Sequence, residues 1–202
     1  MQRRHLLGTG FALAAPSWPA CADDTVRTLL QRGGVVIAFR HALAPGTFDP
    51  EGFRLDDCST QRNLNDEGRA QARRIGQWFR ERNLTPTQVR TSPWCRCVDT
   101  AALAFGRAER WAALASPRGT AEAGQAQRLA ELRRALAAVP AGRFEAWVTH
   151  QFVLQDLTGL PTQSAEALVL RTAATDTAAT SSATAASAPG HGVQVLARAS
   201  LY

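Results

Sequence analysis

The chain has 202 residues, of which 45% are apolar, and a formal charge of +6. Those figures suit one domain with a full core and exclude a fibrous or disordered chain. All 23 basic residues are arginine, so any anion site must use arginine, histidine or backbone N–H groups. No internal apolar run is long enough for a membrane span. The basic excess is not clustered in a run, so nucleic-acid binding is not indicated.

The first predicted element is an export signal over residues 1–22. "MQRRHLLGTGFALAAPSWPACA" places Arg3 and Arg4 before a mildly apolar stretch and ends in Ala20-Cys21-Ala22, a small-residue cleavage pattern. The paired arginines fit a twin-arginine address. Trp18 and Pro19 argue against a lipid anchor on Cys21. Cleavage after Ala22 removes two arginines and no acids, which lowers the formal charge from +6 to +4. The expected location is periplasmic or secreted, where disulfides persist. Cys58, Cys95 and Cys97 remain in the mature chain, an odd count that allows one pair plus a free thiol, or no pair.

Residues 23–32 read as a helix stopped by Gly33-Gly34. "VVIAFRH", 35–41, is a strand apolar on both faces, as in a covered parallel sheet. A loop with Pro45, Gly46, Pro50 and Gly52 runs to about Leu64. Asn65-Asp66-Glu67 supplies a cap and acids for a helix to about Arg82, with Ala72, Ile75, Trp78 and Phe79 on its apolar face. "TQVRTSPW" is a short strand, followed by a helix over 94–105 and another over 122–138. "FEAWVTH" is a strand, a short helix runs from Phe152 to Thr158, and "EALVLR" is a further strand. Residues 172–190 are Ala/Thr/Ser-rich without helical period and read as a surface insertion. "VQVLARASL" returns as a late strand. Alternating strands and helices of these lengths predict an α/β fold, with residues 23–202 forming one domain around a mostly parallel sheet.

Two of these strands end in histidine, His41 and His150. The carboxyl ends of strands converge on the ligand crevice of an open α/β sheet. Histidines far apart in sequence are thus expected to face one another there, with Arg40 alongside. Arginine forks hold the nonbridging oxygens of a phosphate, and a neutral imidazole can attack phosphorus. No convincing metal-ligand set is present, and Cys95-x-Cys97 is too tight for the usual zinc spacing. A thiol redox protein built on "WCRC" is disfavoured by the same spacing.

Four segments carry a family resemblance. "FRHALAPG" resembles the R-H-G signature of the histidine phosphatase (phosphoglycerate-mutase-like) superfamily, with Ala42 in place of glycine. "RNLNDEGRAQARRIGQWF", "VRTSPWCRCVDTAALAF" and "WVTHQ" resemble its later blocks in order, with Thr149 replacing a usual glycine. The resemblance implies a three-layer α/β/α fold and a metal-independent, cofactor-free phosphatase acting on a small phosphorylated substrate. It implies that His41 is the nucleophile, that Arg40 and Arg96 bind phosphate, and that His150 completes the pocket. The acid-phosphatase branch carries Asp after the second histidine, but here Gln151 stands there. Glu109 and Glu122 lie in the region where the mutase branch places its acid, and Glu166 is the candidate general acid in this chain. In such a fold the loop holding Cys58 borders the pocket beside Cys95, so these two are the expected disulfide. The alternative function is a non-catalytic module of the same fold that binds phosphorylated ligands. The loop 42–63 shapes the substrate, whose identity the sequence does not disclose.

Overall fold

The structure is a computed structural model that describes residues 20–117, 122–173 and 192–202. Residues 1–19 of the expected leader and all but the first two residues of the 172–190 stretch lie outside the described residues. The described part holds helices α1 (Ala20–Arg32), α2 (Asp66–Glu81), α3 (Cys95–Phe105), α4 (Glu122–Ala137) and α5 (Gln151–Thr158). Its strands are β1 (Val35–Arg40), β2 (Gln88–Thr91), β3 (Glu109–Arg110), β4 (Phe144–Thr149), β5 (Glu166–Thr172) and β6 (Val193–Ser200). They form one sheet in the order β3-β2-β4-β1-β5-β6. Among the described residues, no helix is long and apolar enough to cross a membrane.

The two-residue period of β1 builds the layers. Val35, Ile37 and Phe39 join a core with Val26 and Leu30 of α1, Ile75 and Phe79 of α2, and Ala101 of α3. Val36 and Ala38 face the other way, into Leu132 and Leu136 of α4 and Val153, Leu154 and Leu157 of α5. All five β1 residues from Val35 to Phe39 are at most 2% exposed, the condition of a strand covered on both faces. The α1–β1 connection turns at Gly33, whose φ is +69° and whose absent side chain leaves room for the Arg143 backbone N, 2.2 Å from where a Cβ would sit.

The sheet is mostly parallel: β3, β2, β4 and β1 all pair in parallel. β5 departs from this and runs antiparallel to β1, and β6 antiparallel to β5. The cause is the length of α5. Its eight residues span about 12 Å, against about 20 Å for a six-residue strand. The chain therefore re-enters the sheet near the end from which it left, with the Ala165 N–H on the His41 carbonyl, and must run downward. The two-residue edge strand β3 had no sequence signal, because a pair of exposed residues has no period.

Candidate active site

The register of β1 and β4 sets the site. Arg40 pairs with Thr149, so the next residues, His41 and His150, leave adjacent parallel strands side by side. The ladder continues one step further through the His41 N–H, which donates to the Thr149 carbonyl at 2.9 Å. The two imidazole centroids are 5.6 Å apart, edge to face. β2, on the far side of β4, ends at Thr91 and delivers Ser92, Trp94 and, in the first turn of α3, Arg96. Three neighbouring strand ends thus line one cavity of about 520 Å³. A more open depression of about 650 Å³ lies at the opposite strand ends, around Gln88, Glu109 and Glu145, and no histidine lines it.

Three arginines line the cavity: Arg40, Arg96 and Arg62. Arg40 Nη1 donates to Gln151 Oε1 at 2.9 Å and to the Thr162 carbonyl at 2.7 Å. Arg62 Nη1 donates to the Ala44 carbonyl. Arg96 meets Asp49 with both terminal nitrogens, at 2.7 and 3.1 Å. The Nε–H of each of the three is buried with no acceptor among the described residues. A buried donor left unpaired costs about 1–3 kcal/mol, so an anion that accepts from all three is strongly favoured here. Burial and the neighbouring Arg96 guanidinium hold the Arg40 and Arg62 pKa values below the ordinary arginine value. Burial alone would raise the Asp49 carboxyl, but hydrogen bonds from Arg96, the Arg62 N–H and Trp94 hold it below the usual carboxylate range. One fixed carboxylate thus faces three guanidiniums.

The histidines are neutral. Burial, opposed by the Ala42 hydrogen bond and reinforced by the arginines, pushes the His41 pKa down to about 3. His41 Nδ1 lies 2.8 Å from the Ala42 carbonyl oxygen, which can only accept, so Nδ1 carries the proton. Nε2 therefore keeps its lone pair. Burial first, then His41 and the arginines, hold His150 well below the ordinary histidine value. His150 Nε2 is engaged by Ser92 Oγ at 2.8 Å, and Trp94 packs edge-on at 5.3 Å between centroids. Nδ1 is then the ring nitrogen that remains for a bound anion.

Supporting contacts explain why the motif residues have the types they have. Thr100 Oγ1 accepts from the Ala42 N–H at 3.1 Å, and Gln71 Oε1 accepts from the Leu43 N–H at 2.9 Å. Asn65 caps α2 by accepting from the Gly68 N–H at 2.8 Å. A Cβ on Gly68 would sit 2.0 Å from the Leu43 carbonyl oxygen, so only glycine lets α2 approach the backbone after His41. Cys58 and Cys95 are joined, with Cα atoms 5.7 Å apart. The bond ties the 42–63 loop to the start of α3, where Gln61 Oε1 also accepts from the Cys95 N–H at 3.0 Å. Cys97 is free and buried, and burial pushes its thiol up to about 12.

Arg40, His41 and His150 line the cavity, as the strand-end argument expects, and so does Arg96, as the family resemblance implies. Glu166 does not. Arg198 Nε holds its Oε1 at 2.5 Å, and the Gln163 N–H holds its Oε2 at 2.6 Å, at the start of β5. Glu109 belongs to the opposite end of the sheet, where Gln88 donates to it, and the side chain of Glu122 is not described. Among the described residues, the carboxylates on the cavity wall are Asp49 and Glu51. Sequence reasoning missed Arg62 and Asp49, which sit in an aperiodic loop. The available signal was the position of Arg62 immediately before the "NLNDEG" helix start. Among the described residues, no three His, Cys, Asp or Glu side chains gather as a metal site.

Residues 55–115 match the family model of the histidine phosphatase superfamily, branch 1. The resemblance is to the histidine phosphatases. The match spans Arg62, the Gly68 helix, Ser92 and Arg96. Solved structures are similar in fold. The open reading frame Rv3214 of Mycobacterium tuberculosis superposes with a TM-score of 0.52 at 20% identity, over 70% of this chain and 92% of that one. The protein histidine phosphatase SixA, solved with tungstate, gives 0.45 at 17% identity over 68% and 88%. A mycobacterial glucosyl-3-phosphoglycerate phosphatase, Rv2419c, gives 0.46 at 15% identity over 69% and 90%. No curated protein matches at a significant level.

Proposed function

We propose that the chain is an exported phosphatase that hydrolyses a phosphomonoester through a phosphohistidine on His41. The observation that carries the reading is the fixed tautomer of His41. Its Nδ1 proton is bound to the Ala42 carbonyl, which leaves the Nε2 lone pair free beside three arginine Nε–H groups that have no acceptor among the described residues. A phosphate in that position has its nonbridging oxygens held by Arg40, Arg62 and Arg96, where charge is shared in the transition state. His41 Nε2 attacks phosphorus, the phosphorus–oxygen bond to the leaving group breaks, and the alcohol oxygen leaves with the electron pair. Water then attacks the phosphohistidine, inorganic phosphate forms and Nε2 recovers its lone pair.

The leaving oxygen needs a proton. Asp49 is held ionised by Arg96, and Glu166 is held by Arg198 away from the cavity wall. Glu51, on that wall, is the carboxylate to which we assign the proton transfer, directly or through water. Export rests on the leader pattern of residues 1–22 and fits the bonded Cys58–Cys95 pair.

A second reading is a non-catalytic module that binds phosphorylated ligands. Asp49 favours it, because Arg96 holds this carboxylate ionised, so it has no proton to give a leaving oxygen while the arginines can still bind phosphate. Hydrolysis across a panel of phosphomonoesters, with His41→Ala alongside, separates the two. Turnover that His41→Ala abolishes supports the phosphatase. Retained phosphate binding without turnover in the wild type supports the module.

A further inference from the structure

The walls above the phosphate-sized floor of this cavity are aromatic. Phe48, Phe53, Trp94 and Phe152 line it. Phe53 and Trp94 lie 5.9 Å apart, with planes inclined by 39°. Phe48 is 55% exposed and Phe152 39%, and they are two of the four large apolar side chains exposed in the described structure. Keeping such rings in water is unfavourable, and their concentration at one mouth marks a recognition surface. The charges at the mouth carry a second message. Among the described residues, the cavity's three arginines and two histidines gather at the strand ends, and its remaining charged side chains are Asp49 and Glu51. A second anionic group on the substrate would meet these carboxylates with no cation among the described residues set aside for it.

We infer that the substrate is an aryl phosphate: a single phosphate ester whose leaving group is aromatic and carries no further negative charge. This rests on the phosphatase reading and names its substrate class. The chemistry agrees with the walls. A phenol has a pKa of about 10, as in tyrosine, against about 16 for water, so an aryl oxide leaves with little proton transfer. A site whose Asp49 is occupied by Arg96, and whose other wall carboxylate, Glu51, is exposed, is matched to a leaving group that needs little proton transfer. The ring of the substrate would lie among the four aromatic side chains in offset or edge-to-face contact.

Calorimetric titration with non-hydrolysable phosphonates tests this without relying on turnover. The probes are phenylphosphonate, butylphosphonate, methylphosphonate and 2-carboxyethylphosphonate, with inorganic phosphate as the reference. Phenylphosphonate is expected to bind about tenfold more tightly than methylphosphonate, the worth of one partly buried ring. The carboxyethyl compound is expected to bind no better than the methyl compound. Phe48→Ala combined with Phe152→Ala should bring the phenyl compound to within about threefold of the methyl one. Both side chains are exposed, so this variant should fold. Equal phenyl and methyl affinities, a tighter butyl or carboxyethyl compound, or a phenyl advantage that survives the double variant would each overturn the inference. If inorganic phosphate still binds in those cases and the wild type still turns over phosphomonoesters, the phosphatase reading stands and only the substrate class fails. If neither inorganic phosphate nor any phosphonate binds, both fail.

Discussion

His41 and His150 are 2% and 4% exposed and share their surroundings with three guanidiniums. Both are held neutral below the pH at which an unfolded histidine, with a pKa near 6.5, takes up its proton. As pH falls below about 6.5, the unfolded chain binds protons that the native protein refuses, so stability falls. The window for His41 runs from about 6.5 down to its folded value of about 3. Each histidine contributes a slope of at most about 1.4 kcal/mol per pH unit. Urea midpoints in phosphate-free buffer should therefore drop between pH 7 and pH 5, and His41→Gln should remove a share of that slope. A wild-type midpoint that is flat over this range would contradict neutral, buried histidines.

At the scale of elements, two helices hold the backbone that follows the nucleophile. Thr100 of α3 and Gln71 of α2 accept from the Ala42 and Leu43 N–H groups, and Gly68 lets α2 touch the Leu43 carbonyl. Gly68→Ala forces a Cβ to within 2.0 Å of that oxygen unless α2 moves. The variant should lose about 1–3 kcal/mol of stability, as overpacked sites do. Its kcat/KM should fall as well, because Ala42 carries the carbonyl that fixes the His41 tautomer. Chemical denaturation and steady-state kinetics on one preparation check both. Wild-type values for both would mean that α2 slides without cost. A second element-level device is the Cys58–Cys95 bond across the 42–63 loop and the start of α3. Replacing both cysteines with serine should cost roughly 2–4 kcal/mol. Thiol titration of the protein cleaved after Ala22 should find one reactive group, Cys97, and only after denaturation. Three titratable thiols would contradict the pairing.

Over the whole molecule, what the sequence discloses depends on where a residue's meaning is local. Short apolar runs and helix caps announce β1, α2 and β4 because burial and capping act within a few residues. Arg40 ends β1, and His41 and His150 directly follow β1 and β4, so these three were readable from the elements. The parallel β1–β4 register brings the two histidines together, whereas Arg96 was legible only through the resemblance of its segment. The antiparallel turn of β5 was not readable, since it depends on the reach of α5. Arg62 and Asp49 were not readable either. Each sits in a loop without period, and what matters is a contact across more than thirty residues, Asp49 to Arg96 and the Arg62 carbonyl to Arg96. Glu166 has the residue type expected of an acid, but Arg198 of β6 holds it, a partner that no local pattern reveals.

The central claim is that His41 Nε2 takes the phosphoryl group. The most direct measurement is rapid acid-free quenching of the protein with isotopically labelled phenyl phosphate, followed by peptide mapping. The prediction is an acid-labile, base-stable phosphoryl group on the peptide containing His41, absent from His41→Ala. A turnover-competent protein that yields no labelled His41 peptide, or a His41→Ala variant with undiminished hydrolysis, would contradict it.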